Sequence, residues 1–503
     1  MATWIKGLGS RDAEDALWAC YQRGLYASVS SAKPQGALGS RWYFAKTVAA
    51  AACGHETAAR RYLSLFLKVP GANVYRADLI QALAGYLPRV ALGLLDWKTY
   101  LPHGWRVALL LRTGQVEQAR QYLSALPAKA FDTSPELALL KANAFGGAPA
   151  DLLRVVNGFL GWYGLPGVRL RDAAHAPSPL NMVAAGAPGV VDGPLVSVLM
   201  TTFRTGARAV AAVRSVLAQR YRNFELIVLD DASDDGTPEL LRDLAREDAR
   251  IRFVPLPRNV GTYAAKLIGL GLARGEFVTC HDSDDWAHPD KLLRQVAPLM
   301  EDTRLVATVS YWVRMSDEGL FYARQVYPLM RMNLSSLLFR RERVLREAGA
   351  WDSVRTGADS EFWARLRLVF GDDACERVRL PLSLGSHRSD SLMTGQITGY
   401  AQDTGVSPFR IAYGEAWARW HDTAIAAGGK PFLPAQVQAA LTARPFPVAD
   451  EQGVSAEDVA SCLRELGFAP SGPGHVDLHP SAGMSQLAKP REPSKLLAHS
   501  SPA

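Results

Sequence analysis

Three aspartates within four positions, Asp282, Asp284 and Asp285, follow an apolar run that ends at Cys280. Carboxylate oxygens are the hard ligands that Mg²⁺ and Mn²⁺ prefer. A divalent cation held there can bind a pyrophosphate and stabilise it as it leaves. Acidic residues also commonly precede helix N-termini, so a capping run is the alternative interpretation. Because the aspartates come directly after a strand pattern, we favour a Mn²⁺ or Mg²⁺ site formed by Asp282, Asp284 and Asp285.

A second acidic loop, residues 230–236, follows the apolar run at 226–229. In mononucleotide-binding units, an acid after the second strand accepts a hydrogen bond from the ribose or the base. The sequence therefore predicts that Asp230 or Asp231 contacts a nucleoside.

Two nearby patterns imitate other sites. Glycines at 269, 271 and 275 resemble a dinucleotide fingerprint, but they end a helix before a strand, which is the reverse of the required order. His281 and His288 flank the aspartates, but a carboxylate-dominated site favours harder ions than zinc. We therefore expect helix packing from the glycines, and orientation or capping from the histidines.

The acidic loops require a scaffold that brings strand ends together. Short apolar runs alternate with helical patterns between residues 195 and 285, which predicts βαβ units around a mostly parallel sheet. A further strand is predicted at 305–313 and a further helix at 341–348. Ligands of such α/β sheets bind beyond the carboxyl ends of the strands, where the aspartates stand.

Residues 1–170 have almost no strand pattern and contain an internal repeat. The segments 54–64 and 114–124 share six residues at equivalent positions, sixty residues apart. Gly85 and Gly146 near the other steps suggest a period of about thirty, as in stacked helical hairpins that resemble tetratricopeptide repeats. A single irregular helical bundle is the alternative. We predict an all-α helical-repeat domain that docks the acceptor or a protein partner.

The other segments are assigned by composition. Residues 171–194 are rich in Pro, Gly and Ala and predict a linker, after which the sheet domain spans 195–405. Residues 406–470 predict a helical extension whose first helix has an aromatic face; such a helix lies on a membrane or, more commonly, packs on its own domain. Residues 471–503 predict a disordered tail.

The overall composition excludes several classes of protein. With 503 residues, 48% hydrophobic and 21% charged, the chain is predicted to be globular with more than one domain. No run reaches the roughly 18 apolar residues of a membrane span, and no signal peptide is visible. The net charge of +7 is spread over the chain, so we predict no nucleic-acid partner. Five scattered cysteines fit a reducing cytoplasm, with peripheral association at the inner membrane face left open.

Several ordered motifs together resemble the family 2 glycosyltransferases of GT-A fold. They are residues 196–202, 224–237, 258–261 and 273–285, and the resemblance extends over about 195–395. It implies a Rossmann-like mixed sheet flanked by helices. It also implies an inverting transferase that uses a nucleotide-diphosphate sugar, usually a UDP-sugar, with Mn²⁺ or Mg²⁺. A growing glycan or a lipid-linked molecule is the expected acceptor.

The resemblance also implies roles for individual residues. Asp231 would contact the base, Asp282 to Asp285 would bind the metal, and Asp359 would be the general base. Inverting transfer needs a carboxylate that takes the acceptor proton, and Asp359 precedes an apolar helical run, so it could project into a cleft. An ordinary N-cap is the alternative role for Asp359, and Glu361 is the competing base. The residues predicted to bind the nucleotide sugar are Thr201, Phe203, Arg204, Asp231, Asn259, Gly261, Lys266, Asp282, Asp284, His387 and Arg388.

The chain departs from the family pattern at three places. Thr202, Phe203 and Arg204 replace the usual end of the first strand. Lys266 stands where the family has arginine, which keeps the charge but not the fork of donors. Ala358 replaces the acid that usually precedes the base. His387 and Arg388 could reach the pyrophosphate or form a surface turn.

Two other functions compete with this assignment. A sugar-phosphate nucleotidyltransferase would use a similar metal site, but it would need a glycine-rich basic loop after the first strand, where only Arg204-Thr-Gly206 is present. A helical-repeat scaffold beside a degenerate transferase domain is the second alternative, and the intact aspartates argue against it.

Overall fold

The computed structural model describes residues 10–33, 38–96, 99–186, 191–389, 399–401, 405–442 and 444–467. Its N-terminal part is entirely helical up to Trp162, as predicted. The α-helices described there are α1 (Ser10–Gln22), α2 (Tyr26–Ser31), α3 (Ser40–Ala52), α4 (Glu56–Phe66), α5 (Arg76–Ala84), α6 (Pro88–Leu94), α7 (His103–Arg112), α8 (Val116–Ala125), α9 (Ala128–Thr133), α10 (Glu136–Phe145) and α11 (Pro149–Trp162).

The internal repeat forms two similar helical hairpins, α3–α4 and α7–α8. Each turn has a glycine in the left-handed region, Gly54 with φ 77° and Gly114 with φ 80°, where side chains other than glycine are disfavoured. The left-handed turn predicted at Gly114 is thus present. Gly85 differs, because its φ is −77°, so the thirty-residue step is not repeated with the same turn.

Residues 168–184 form a small antiparallel ribbon between the helices and the main sheet. Its strands are β1 (Val168–Leu170) and β2 (Met182–Ala184). The Asn157 side chain of α11 pairs with both the backbone N–H and the carbonyl of Val168. The ribbon is thus anchored to the helical region, and its second strand lies in the segment 171–194 that is predicted as a linker.

The main sheet is mixed, as predicted. Its strands are β3 (Val196–Thr202), β4 (Phe224–Asp230), β5 (Ile251–Pro255), β6 (Phe277–Cys280), β7 (Trp286–Ala287), β8 (Ala307–Met315), β9 (Phe321–Tyr322), β10 (Arg331–Met332), β11 (Leu338–Arg340) and β12 (Cys375–Ser386). The order is β5-β4-β3-β6-β11-β8-β12-β7. Strands β5, β4, β3 and β6 are parallel, whereas β11 runs antiparallel to both of its neighbours. The carboxyl ends of β4, β3 and β6 therefore meet at one edge.

Helices cover both faces of this sheet. They are α12 (Ala207–Leu217), α13 (Thr237–Glu247), α14 (Thr262–Leu272), α15 (Lys291–Glu301), α16 (Arg341–Glu347) and α17 (Ala358–Phe370). Helices α12, α13 and α15 pack on one face, and α14 and α17 pack on the other. The predicted fold class, an α/β mixed sheet flanked by helices and preceded by an all-helical region, is confirmed.

The helical region shares a core with the far edge of the sheet. One apolar cluster joins Leu109 and Leu139 of the helices to Val313, Phe321 and Leu384 of the strands. Burial of this apolar surface is the main attraction between the two parts. The helical region is therefore packed onto the sheet as part of the same body.

The C-terminal part completes the α14 side of the sheet. It contains β13 (Tyr400–Ala401), β14 (Gly405–Val406), α18 (Pro408–Ala426), α19 (Val437–Thr442) and α20 (Ala456–Glu465). The aromatic face of α18, with Tyr413, Trp417 and Trp420, packs against the core cluster of its own chain. No described helix has the length and apolarity to cross a membrane. The tail predicted to be disordered, 471–503, lies outside the described residues.

Candidate active site

The two acidic loops lie on either side of the end of β3. The Asp231 N–H donates to the Thr202 carbonyl at 2.8 Å, and the His281 N–H donates to the Leu199 carbonyl at 3.0 Å. The parallel strands thus bring the loops after β4 and β6 to one edge, where α/β sheets bind ligands.

Asp231 holds the glycine loop before α14. Its carboxylate oxygens accept hydrogen bonds from Val260 N–H at 2.7 Å and Gly261 N–H at 2.9 Å. Burial raises the pKa of Asp231 to about 6, although the two N–H groups act in the opposite direction. Gly261 has φ 79°, and Asn259 donates to the Asp231 carbonyl at 3.1 Å. The predicted base-contacting loops are therefore connected to each other through Asp231.

Asp230 retains an open carboxylate oxygen. Its Oδ2 accepts the Ser233 N–H at 3.0 Å, whereas Oδ1 is buried without a hydrogen-bond partner among the described residues. Burial also raises the pKa of Asp230. Asp230 and Asp231 are thus both buried, but of these two only Asp231 has both oxygens hydrogen-bonded within the described residues.

The acidic segment from Asp282 to Asp285 carries closely spaced negative charge. Asp285 is buried, and its Oδ1 accepts the Ser386 N–H at 2.9 Å. Asp284 pairs with Arg388, with Nε 3.1 Å from Oδ2. Burial raises the pKa of Asp284. Burial, and to a smaller extent the charges of Asp284 and Asp282, raise the pKa of Asp285 well above its usual value. The negative charges of these carboxylates repel one another, and a bound cation would reduce that repulsion.

The described residues do not bring three acidic, histidine or cysteine side chains together as a metal-ligand group. Asp285 is occupied by the Ser386 N–H, whereas Asp282 is partly exposed and Asp284 faces Arg388. The oxygen donors of Asp282 and Asp284 suit Mn²⁺ or Mg²⁺, ions that commonly take further ligands from phosphate and water. The metal site formed by the three aspartates stays a prediction.

Asp359 is an acid with an open oxygen beside a buried cation. It lies in the first turn of α17, and Tyr263 Oη donates to its Oδ2 at 2.9 Å. Its Oδ1 is buried without a hydrogen-bond partner among the described residues and lies 3.7 Å from Lys266 Nζ. Gly357 is the N-cap of α17, and no side chain caps the helix, so the alternative role of Asp359 as N-cap is wrong.

Glu361, the competing base, is fully enclosed. Arg365 donates to both of its oxygens at 2.8 Å, and His421 Nε2 lies 2.9 Å from Oε1. Burial alone would raise the pKa of Glu361, but the Arg365 cation and the hydrogen bonds lower it overall. The two carboxylates of α17 thus differ: Asp359 has an oxygen without a hydrogen bond from the described residues, whereas both oxygens of Glu361 are paired with Arg365.

Lys266 connects the base to the acidic segment. It is 2% exposed, and its ammonium lies 4.9 Å from the Tyr263 ring centroid. Burial alone would lower the pKa of Lys266, but the negative charges of Asp359 and Asp282 raise it overall, so the side chain is charged at neutral pH. The cation predicted from the family position therefore faces the candidate base.

The residues after β3 form the rim of the site. Thr201 Oγ1 is hydrogen-bonded to Thr262 Oγ1 at 2.7 Å. Phe203 is 43% exposed, and the Arg204 guanidinium lies over its ring. Arg204 binds Asp234 through two hydrogen bonds of 2.5 and 2.6 Å, so its charge is already paired at the surface.

His387 and Arg388 lie at the end of β12 and are held in place. The His387 ring stacks on Tyr322 at a centroid distance of 3.6 Å and an interplanar angle of 5°. Arg388 reaches Asp284, as described above. These contacts place His387 and Arg388 beside the acidic segment. Residues 390–394, which follow in the sequence, lie outside the described residues.

The misleading glycine and histidine patterns have structural explanations. A Cβ at Gly269 would lie 2.7 Å from Leu229 Cδ1, and one at Gly275 would lie 2.5 Å from the Ser197 nitrogen. His281 and His288 place Nε2 at 3.2 and 2.9 Å from the carbonyls of Asp285 and Pro166. As predicted, the glycines allow close packing, and each histidine is oriented by a backbone carbonyl.

Tyr263 was missed by the sequence interpretation, although it contacts the candidate base. Its position three residues before Lys266 places both side chains on one face of α14, which is the signal that could have identified it. Arg314 was also missed; it donates to the Ser386 carbonyl at 2.7 Å and so fixes the strand end beside Asp285.

The sequence model of the family described as Glycosyl transferase family 2 matches residues 197–357. An uncharacterized glycosyltransferase of Haemophilus influenzae is 34% identical over 126 residues, which cover 25% of this chain and 50% of that protein. The succinoglycan biosynthesis protein ExoO of Rhizobium meliloti is 37% identical over 109 residues, covering 22% and 31%. The putative teichuronic acid biosynthesis glycosyltransferase TuaG of Bacillus subtilis is 35% identical over 124 residues, covering 25% and 49%.

The match to these relatives spans half of their length or less. Among solved structures, TarS of S. aureus in complex with UDP-GlcNAc matches 49% of this chain and 70% of that chain, with 16% identity and a TM-score of 0.37.

Proposed function

We propose that the protein transfers a sugar from a nucleotide-diphosphate sugar to an acceptor hydroxyl, with inversion of configuration at the anomeric carbon. The match of residues 197–357 to the model of glycosyl transferase family 2 supports this proposal. The observation that carries this proposal is Asp359, whose open, buried oxygen lies 3.7 Å from Lys266 at the edge that also presents Asp282 and Asp284. A general base must have a free lone pair within reach of the acceptor proton.

In the proposed reaction, the acceptor oxygen attacks the anomeric carbon while Asp359 Oδ1 takes its proton. The bond from that carbon to the diphosphate oxygen breaks on the opposite face, and the nucleoside diphosphate leaves. Tyr263 fixes the carboxylate through Oδ2, and the Lys266 ammonium lies 3.7 Å from Oδ1. Arg388 supplies positive charge near Asp284, where the diphosphate would lie.

Asp282 and Asp284 would hold Mn²⁺ or Mg²⁺ in this proposal. When bound, the cation supplies charge neutralisation for the departing diphosphate. A UDP-sugar is the proposed donor because the motifs resemble enzymes that use UDP-sugars, with Asp231 and Asn259 on the nucleoside side.

A growing glycan or a lipid-linked molecule is the proposed acceptor. Relatives are named for succinoglycan and teichuronic acid biosynthesis, which supports polysaccharide synthesis as the setting. We propose a cytoplasmic location, at the inner face of the membrane when the acceptor is lipid-linked.

A binding and turnover experiment tests the proposal. Nucleotide sugars are screened by thermal shift with and without Mn²⁺, and donor turnover is then measured for the wild type, Asp359→Asn and Asp373→Asn. Asp373, just beyond α17, is an exposed acid and serves as the matched control. We expect Mn²⁺-dependent stabilisation by a UDP-sugar in all three proteins, and a loss of transfer of about 10²–10⁴-fold in Asp359→Asn alone, the range of general-base catalysis.

Two results would contradict the proposal. Full transfer by Asp359→Asn would exclude Asp359 as the base. A wild-type protein that binds no nucleotide or nucleotide sugar at saturating concentration would remove the transferase assignment itself.

A further inference from the structure

The helical region reaches the donor side of the site through Arg112 at the end of α7. Its guanidinium lies 4.7 Å from the centroid of the Tyr322 ring and donates to the Ala323 carbonyl at 2.5 Å. Cation–π contacts are strongest when the cation is desolvated, and Arg112 is largely buried, which lowers its pKa from the usual value. Arg112 therefore binds strand β9, which lies at the edge of the catalytic sheet.

The same Tyr322 ring carries the stacked His387 ring, 3.6 Å away. His387 belongs to residues 386–389, which we name the closing segment. Its backbone N–H bonds to the Met315 carbonyl at 2.9 Å, and the preceding Ser386 N–H bonds to Asp285 at 2.9 Å. The following residue, Arg388, reaches Asp284 at 3.1 Å. A continuous series of contacts thus runs from helix α7 to the acidic segment.

We propose that Arg112 is a positioning residue for donor binding, which acts through Tyr322 and His387 to hold Arg388 against Asp284. This inference rests on the proposed function, because it assigns the closing segment to the donor diphosphate. The helical region then supports the donor site directly and completes it from outside the matched family domain at 197–357.

The physical basis is the loss of freedom in the closing segment before the donor arrives. A long arginine such as Arg388 loses rotamer entropy when a ligand fixes it, and a segment already held by stacking has less freedom left to lose. The energy of the Arg112–Tyr322 contact would therefore appear in donor affinity, with little effect on the chemical step at Asp359.

Arg120 on α8 provides a matched control. Its guanidinium lies 5.6 Å from the Phe145 ring centroid, and its Nε donates to the Ala144 carbonyl at 2.7 Å. It thus makes the same two kinds of contact as Arg112, in the same helical region, but both partners belong to that region. Arg112→Met and Arg120→Met each remove a cation–π contact and a hydrogen bond to a carbonyl, and Arg120→Met also removes an exposed ion pair with Glu117. Only Arg112→Met breaks the series of contacts to Asp284.

The experiment compares these variants in the full chain by two measurements. Hydrogen exchange is followed by mass spectrometry in peptides that cover 381–389, and the affinity for UDP with Mn²⁺ is measured by calorimetry. We expect Arg112→Met to exchange faster at Ser386 and His387 and to bind UDP about tenfold more weakly, equivalent to about 1.4 kcal/mol. Arg120→Met should match the wild type in both measurements.

Tyr322 supplies a second test that does not depend on the folding of the Arg112 variant. Tyr322→Leu removes the stacked ring and should weaken UDP binding like Arg112→Met, whereas Tyr322→Phe retains the ring and should bind UDP within about twofold of the wild type.

Equal UDP affinity in Arg112→Met and Arg120→Met would overturn the proposal, and so would faster exchange without weaker binding, since Arg112 would then only stabilise the fold. If the wild type binds no UDP, the proposed UDP-sugar donor is wrong, whereas the exchange data still show whether Arg112 holds the closing segment. Unchanged exchange in both Arg112→Met and Tyr322→Leu would also overturn the proposal.

Discussion

Two carboxylates of one helix turn, Asp359 and Glu361, show how environment separates chemical from structural roles. Both lie in the first turn of α17, and both are largely removed from water. Asp359 has one oxygen without a hydrogen bond from any described residue, whereas the Arg365 cation pairs with Glu361 and His421 Nε2 lies 2.9 Å from its Oε1. A buried carboxylate that acts as a base keeps a lone pair without a hydrogen bond, and this lowers the stability of the folded protein. A carboxylate with a structural role has its lone pairs hydrogen-bonded and avoids this cost.

We predict that Glu361→Gln lowers stability more than Asp359→Asn does, because Arg365 donates to both Glu361 oxygens at 2.8 Å whereas Lys266 Nζ lies 3.7 Å from Asp359 Oδ1. Breaking a buried ion pair by removing one partner typically costs about 3–5 kcal/mol, because the remaining charge is left uncompensated. Arg365 and Glu361 are both fully buried, so this range applies. Urea unfolding monitored by circular dichroism measures the difference.

The two substitutions should therefore separate stability from catalysis. Asp359→Asn should unfold at a midpoint between those of the wild type and Glu361→Gln and fail to transfer sugar. Glu361→Gln should unfold earliest while its folded fraction keeps transfer. A Glu361→Gln protein of wild-type stability that has lost transfer would reverse the assignment of the two acids.

At the scale of elements, the C-terminal part is fastened to the catalytic sheet domain at Gly349. This residue has φ 77°, and a Cβ there would lie 1.6 Å from the Leu433 carbonyl oxygen. The Ala350 N–H donates to the same carbonyl at 3.1 Å. The chain after α18 thus returns to the segment that follows α16 through a backbone contact that only glycine permits.

We predict that Gly349→Ala is far more destabilising than Gly428→Ala. Gly428 has φ 74° and open space around its Cβ position, so its substitution costs only the left-handed strain of about 1–2 kcal/mol. Gly349→Ala adds a backbone clash that must displace Leu433. Thermal unfolding of the two variants measures the difference, and equal melting temperatures would show that the 433 segment moves freely.

The acidic loops and their strands could be predicted because each depends on local pattern. An apolar run followed by aspartates specifies both the strand and the sheet edge that it ends on. The partners of those acids come from distant segments: Tyr263 and Asp359 are 96 residues apart, and Asp284 and Arg388 are 104 apart. Periodicity contains no information on such pairs. The spacing of Tyr263 from Lys266 places both on one face of a helix, but the contact of Tyr263 with Asp359 could not be derived from the sequence.

The aromatic face of α18 shows the same limit. The periodicity predicted an apolar face with Tyr413, Trp417 and Trp420, and this face exists. What covers it, a membrane or the protein itself, depends on tertiary packing that the pattern does not specify. Gly85, at the intermediate step of the repeat, does not form the left-handed turn found at Gly54 and Gly114. A glycine in the sequence permits such a turn but does not by itself determine it.

At the scale of the molecule, the helical region and the catalytic sheet share polar as well as apolar contacts. The Asn143 side chain of α10 binds both the N–H and the carbonyl of Phe321 in β9, at 2.8 and 2.7 Å. Glu136 accepts the N–H groups of Leu329 and Met330. These side chains satisfy backbone groups of the sheet edge that would otherwise be buried and unpaired.

We therefore predict that the two parts unfold together. Asn143→Ala leaves the Phe321 backbone groups unpaired and should cost about 1–3 kcal/mol, whereas Asn73→Ala, at an exposed position of the helical region, should cost less than about 0.5 kcal/mol. Native-state hydrogen exchange is measured for slow amides of α7 and of β4. Because the core is continuous, Asn143→Ala should lower the free energy of exchange by the same amount in both elements. A decrease confined to α7, with β4 unchanged, would mean that the helical region opens separately from the catalytic sheet and could not support its donor site as one body.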